Sequence, residues 1–87
     1  MHMSPQEMKD LRINVKKLIC GLDLDHRKST TLLPALDEYF RKKVSPQTLS
    51  LALTGARFTP PYVELLENLQ YILTDGEFIN RVTTKSN

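Results

Sequence analysis

The sequence predicts an all-α fold, four to five short helices in one compact bundle, and three observations predict it. Apolar residues recur at three- and four-residue intervals in each main segment, the spacing that gathers them on one face of a helix. Several segments open on a hydroxyl residue followed by proline (Ser4-Pro5, Ser45-Pro46 and Thr59-Pro60). The hydroxyl can accept from a first-turn amide, and proline lacks only an N–H that has no helical partner there. No segment clearly alternates apolar with polar residues as a half-buried strand would.

Ser4-Pro5-Gln6-Glu7 opens the first helix with a capping box. Met8, Leu11, Val15, Leu18, Ile19 and Leu22 form its apolar stripe, with a basic back, and Gly21 is expected to mark its end. A coiled-coil seam is the weaker reading of this stripe, because barely two heptads are present where about three to four are expected. Residues 22–30 read as an exposed connection. Their Asp23-x-Asp25 pair lacks the glycine and later glutamate of a calcium loop, so no metal is expected there. A second helix is expected from about Thr31, with Leu32, Leu33, Leu36, Tyr39 and Phe40 on its apolar side and Pro34 in its first turn. It runs into Arg41-Lys42-Lys43, cations that a helix C-terminus favours.

The next helix has both ends written in the sequence: Ser45 as cap and Pro46 after it, then Gly55 as the residue that closes it in the left-handed conformation. Leu49, Ala52 and Leu53 make one narrow apolar face. Gln47, Thr48, Ser50, Leu51 and Thr54 lie opposite. Thr59-Pro60 starts another helix, whose Val63, Leu65, Leu66, Leu69, Ile72 and Leu73 give a broad buried face. Asp75-Gly76 turns the chain, and Phe78, Ile79 and Val82 can form one last helical turn or a strand.

With 87 residues, 40% of them hydrophobic and 25% charged, the chain suits one globular domain with one modest core. That domain is assigned to residues 4–82, with 83–87 as a frayed tail. Met1-His2-Met3 is open to reading as a cloning remnant, with the natural start at Met3. No apolar run reaches the ~20 residues of a membrane helix and no secretory pattern opens the chain, so a cytoplasmic protein without membrane partners is expected. One cysteine, Cys20, rules out an internal disulfide framework and reads as a packing residue, while two separated histidines give no metal-ligand set. No nucleophile-base pair, carboxylate pair or glycine-rich phosphate loop can be assembled, so no enzyme, cofactor or small-molecule substrate is expected.

The net charge of +2 proves little, but its distribution is uneven. Most of the 12 basic residues precede Val44, whereas Glu64, Glu67, Asp75 and Glu77 make the later region acidic. Such halves can be a DNA side and a dimer side. Ordinary solvated helix faces would give the same runs.

The order of a helix with a basic end, a turn, a capped polar-faced helix closed by glycine and a proline-started helix resembles the phage repressor and Cro type of helix-turn-helix protein, the lambda-repressor-like family. The resemblance is carried by Val44-Ser45-Pro46-Gln47-Thr48-Leu49-Ser50, Thr54-Gly55-Ala56-Arg57 and the packing helix from Tyr62 to Leu73. It covers about residues 31–74. Tyr39 and Lys43 stand where the family usually has a small residue and a glycine, and Leu36 and Phe40 align better with a turn one residue longer. Pro46 replaces a position from which some relatives reach a base or phosphate.

The resemblance implies a sequence-specific transcriptional regulator of phage or bacterial type, a repressor among them, that binds double-stranded DNA. Ser45, Gln47, Thr48, Ser50 and Leu51 would then face base edges in the major groove. Gln47 is the side chain able to pair with adenine through two bonds, and Leu51 could meet a thymine methyl. Arg41, Lys42, Lys43, Thr54 and Arg57 would meet phosphates. A domain this small is expected to work as a homodimer on a two-fold site, with Tyr71, Phe78, Ile79 and Val82 as the candidate interface; closure of the core is the other reading of that group. The competing class is a small helical protein-interaction adaptor that uses the same helix surface with Leu51 as its anchor.

Overall fold

The computed structural model describes residues 4–55 and 59–83, and among them every regular element is helical. The order is α1 (Pro5–Gly21), α2 (Leu33–Phe40), α3 (Pro46–Thr54), α4 (Pro60–Leu73) and α5 (Gly76–Thr83). None of these helices is long and apolar enough to cross a membrane.

The capping box that starts α1 is complete. The Glu7 amide donates to Ser4 Oγ at 3.1 Å and the Ser4 amide donates to Glu7 Oε1 at 2.8 Å. At the other end Gly21 is the last helical residue, as its place in the sequence predicts, and the left-handed turn beyond it is made by Asp23, with φ 58°. The Asp23 amide donates to the Cys20 carbonyl and the Leu24 amide to the Ile19 carbonyl, the paired bonds of a Schellman cap. That cap normally brings an apolar residue back onto the helix, and here Leu24 is fully buried beside Ile19 in the core.

Residues 22–30 are therefore not a simply exposed connection: Leu24 is part of the core and Leu22 packs at its edge. The chain then makes a wide π-type turn over Lys28–Leu32 before α2. Pro34 has no amide to offer the Thr30 carbonyl, which accounts for a departure from regular α spacing just ahead of it. The second helix begins a little later than expected.

A five-residue connection, Arg41–Ser45, joins α2 to α3. Arg41 takes the left-handed conformation, φ 54°, and its amide donates to the Asp37 carbonyl at 2.9 Å. This is longer than a tight helix-turn-helix turn, and α3 packs chiefly on α4, and α2 on α4 and on the π-type turn before it, rather than on each other. At the start of α3, Ser45 Oγ accepts from the Thr48 amide at 3.1 Å, and Gly55 closes the helix at φ 78°.

The centre of the bundle is α4. It packs against α1 most extensively, then against α3, α2 and α5. Leu65, Leu66, Leu69, Ile72 and Leu73 are all buried, and they meet Leu11, Val15 and Ile19 of α1, Leu36 of α2, Leu49, Ala52 and Leu53 of α3, and Phe78 of α5 in one cluster. No polar or charged side chain is buried among the described residues. The stripes read from the sequence are the faces that close the core.

The last segment resolves into a helix of two turns rather than a strand. Asp75 caps α5 by accepting from the Phe78 amide at 3.1 Å, and the same Oδ2 accepts from the Tyr39 hydroxyl at 2.9 Å. Arg81 donates to both Glu38 carboxylate oxygens, at 3.1 and 3.4 Å. Two polar ties thus hold α5 to α2.

Candidate nucleic-acid interface

On α3, Leu49, Ala52 and Leu53 are buried, which leaves Gln47, Ser50 and Thr54 exposed. These three follow one another at intervals of three and four residues and form a single outward stripe. The stripe carries no charge and no large apolar side chain. Leu51 borders it and is half-buried, without joining the main core cluster.

The hydroxyls at the two ends of α3 have structural employment. Ser45 caps the helix, its Oγ lies 2.9 Å from Thr48 Oγ1, and Thr54 Oγ1 donates to the Leu51 carbonyl at 3.3 Å. Gln47 and Ser50 have no such partner among the described residues. Of the residues expected to face base edges, these two are the side chains whose hydrogen-bonding groups are uncommitted.

The expected phosphate contacts divide similarly. Arg41 and Lys43 are exposed on the connection before α3. Lys42 is drawn back onto α4, where its Nζ lies 3.1 Å from Glu64 Oε1. A surface pair of this kind is worth at most about 1 kcal/mol, so Lys42 is restrained rather than lost to an incoming anion. Arg57 lies outside the described residues.

Residue spacing alone does not join the first helix to this face, yet the folded chain does so. A groove of about 350 Å³ runs between α1 and α3, floored by Ile19 and Leu53. Its rim brings Lys16 and Cys20 of α1 and Lys28 of the connection opposite Ser50 and Thr54. Asp25 is also on the rim and holds Lys28 Nζ at 3.2 Å, with the carboxylate side chain 63% exposed. Lys16 and Lys28 could not be singled out from spacing alone, because their position beside α3 is set by how α1 and α3 cross.

Arg12 of α1 is the other residue that the sequence left in an undifferentiated basic back. Its side chain lies across Gly55: a Cβ added there would stand 2.8 Å from Arg12 Nε. The guanidinium is thereby placed at the C-terminal end of α3, where a cation is favoured by the helix dipole.

The candidate dimer residues separate. Tyr71 is 60% exposed, and Ile79 and Val82 are half-buried. Phe78, in contrast, is only 2% exposed, closed into its own core with its ring edge-on to Tyr39. It is a core residue and not a contact offered to a second copy. Tyr71 stands edge-on to Phe40 at 5.7 Å between ring centroids, so its ring is braced at the surface.

Burial raises the Tyr39 phenol above its ordinary value, and the hydrogen bond to Asp75 adds to the rise. The Arg81 guanidinium is also held further toward its charged form, first by its hydrogen bonds to Glu38. Both effects lie where the α5 segment docks on α2. Compared with protein families, with curated proteins and with solved structures, the chain matches none.

Proposed function

We propose that this domain is a sequence-specific DNA-binding transcriptional regulator of phage or bacterial type, with α3 as the helix that enters the major groove. The observation that carries the reading is the outward stripe of Gln47, Ser50 and Thr54, uncharged and exposed on a short capped helix, with cations on the flanking segments. A major groove about 12 Å wide admits one helix, and base edges there are read by amide and hydroxyl groups of this kind. Gln47 pairs with an adenine edge, Ser50 meets a neighbouring base or phosphate, and Leu51 packs on a thymine methyl at the edge of the stripe. Arg41 and Lys43 neutralise phosphates, and Lys42 joins them by exchanging Glu64 for DNA.

A surface this small supports specificity best in a homodimer. Exposed Tyr71 of α4, together with the half-buried Ile79 and Val82 of α5, is the set of residues on which a second copy would sit, with Phe78 in the core beneath α5.

Fluorescence anisotropy of a labelled random-sequence duplex, titrated at two salt concentrations, tests the reading. Weak binding that falls steeply with salt is expected, followed by enrichment of one site from a random pool. Gln47→Ala should then lose about 1–3 kcal/mol of discrimination at one base pair while leaving the thermal midpoint unchanged. Equal losses on the selected and the random duplex would remove Gln47 from base reading. Absence of binding even at low salt would leave the same helix face to a protein partner.

A further inference from the structure

We infer that one phosphodiester strand of the bound duplex runs along the groove between α1 and α3, held by Lys16 and Lys28, so that α1 and its following connection are part of the DNA-binding surface. This rests on the reading of α3 as the groove-entering helix. A helix with its side chains is about 10–12 Å across and the major groove is about 12 Å wide, so the sugar-phosphate walls must lie directly beside α3. On the Ser50 side, the element beside α3 is α1, and the space between them is the groove of about 350 Å³.

The chemistry of that groove fits a phosphate strand. Lys16 and Lys28 supply two ammonium groups, and the Ser50 hydroxyl on the facing wall is free to donate. Asp25 is the one carboxylate on the rim, and it is paired with Lys28 at 3.2 Å across an exposed contact. An arriving phosphate replaces Asp25 as the partner of Lys28, and the carboxylate turns into solvent. By comparison, the cationic run before α3 has Arg41 and Lys43 exposed and Lys42 tied to Glu64, so cations flank α3 on both sides, each with one lysine restrained by a carboxylate.

Cys20, the single cysteine of the chain, is not the packing residue expected from the sequence but lies exposed on the same rim. It reports on the groove without altering it. The test has two arms. In the first, anisotropy of a fluorescein-labelled random-sequence duplex is followed over a salt series for the wild type and for Lys16→Gln, Lys28→Gln and Lys17→Gln. Each phosphate contact contributes about 0.9 to the slope of log affinity against log salt. Lys16→Gln and Lys28→Gln should each lower the slope by about that amount, whereas Lys17→Gln, a change of equal charge one residue along α1 and off the groove, should leave it unchanged. In the second arm, the rate at which Cys20 reacts with a maleimide is measured with and without saturating duplex, and the duplex should slow it severalfold.

The failures are distinguishable. A wild type that binds duplex while Lys16→Gln and Lys28→Gln keep its slope, or while Cys20 reacts at its free rate under saturation, overturns the groove assignment and leaves α3 as the reader. Equal slope losses in all three variants would trace the effect to net charge and also overturn it. A wild type that binds no duplex removes both readings together.

Discussion

Three residues hold the left-handed conformation among the described residues, and they differ in how well they suit it. Gly55 suits it fully, and it also lies under the Arg12 side chain, 2.8 Å from where a Cβ would meet Nε. Gly55→Ala should therefore cost about 1–2 kcal/mol for the conformation alone, with a further loss as Arg12 is displaced, measured as a lowered urea midpoint. Asp23 is in the opposite situation. Its side chain has no stabilising role in the cap, whose bonds are all backbone, so Asp23→Gly should raise stability by up to about 1 kcal/mol. A lowered midpoint for this variant would show that the Asp23 carboxylate does more than occupy the turn. Tyr39 sets a pH dependence. Its phenol is raised above its ordinary value by burial and by the bond to Asp75, so its contribution is fully present below the unfolded value of about 10 and is lost as pH rises through the folded value. Thermal midpoints should fall above pH 10 in the wild type and fall less steeply in Tyr39→Phe.

At the scale of elements, the starts of helices were among the most legible features. Ser4-Pro5 and Ser45-Pro46 are local signals, and the bonds they announce form within three residues, whereas Thr59 stands ahead of Pro60 at the start of α4 without a capping bond from its side chain. The ends of α1 and α3 are equally legible, at Gly21 and Gly55. What the sequence does not show is the geometry beyond Gly21, where Asp23 takes the left-handed conformation and the turn carries Leu24 into the core. Leu24 itself was hidden by its neighbours: a single apolar side chain between Asp23 and Asp25 has no period to reveal it. Leu24→Ala should cost about 2–5 kcal/mol, a core-sized loss from a segment that composition alone marks as surface, and urea denaturation would measure it. A loss below 1 kcal/mol would mean that the connection lies on the core without closing it. The final helix was missed as a full element for a similar reason. Its apolar residues are few, and it is fastened instead by Tyr39–Asp75 and Arg81–Glu38, pairs separated by 36 and 43 residues in sequence.

For the whole molecule, periodicity was sufficient to give the all-α class and almost every core position, since a helical stripe has little choice but to face inward. The candidate interface was legible only where it lies on one helix. Gln47 and Ser50 could be read from the face opposite Leu49, Ala52 and Leu53, but the neighbourhood of that face depends on how helices cross. Lys16 lines the same groove as Ser50 only because α1 and α3 both pack on α4. The same crossing explains why Phe78, which looked available to a partner, is consumed by the core.

The centrality of α4 bears on how the chain acquires its structure. Each of α1, α2 and α3 completes its buried face against a helix that follows it in sequence, and the largest of these contacts joins α1 to residues some 50 positions downstream. Helices as short as α2 and α3 are marginal alone in water, and in proteins most helical stability comes from packing of the apolar face, so the first three have little to fold upon until residues 60–73 arrive. Assembly should be a single cooperative event, with amide protons of α1, α3 and α4 exchanging through one common opening rather than in a graded series. A chain ending before Pro60 should accordingly show little helix, whatever the quality of the caps it retains.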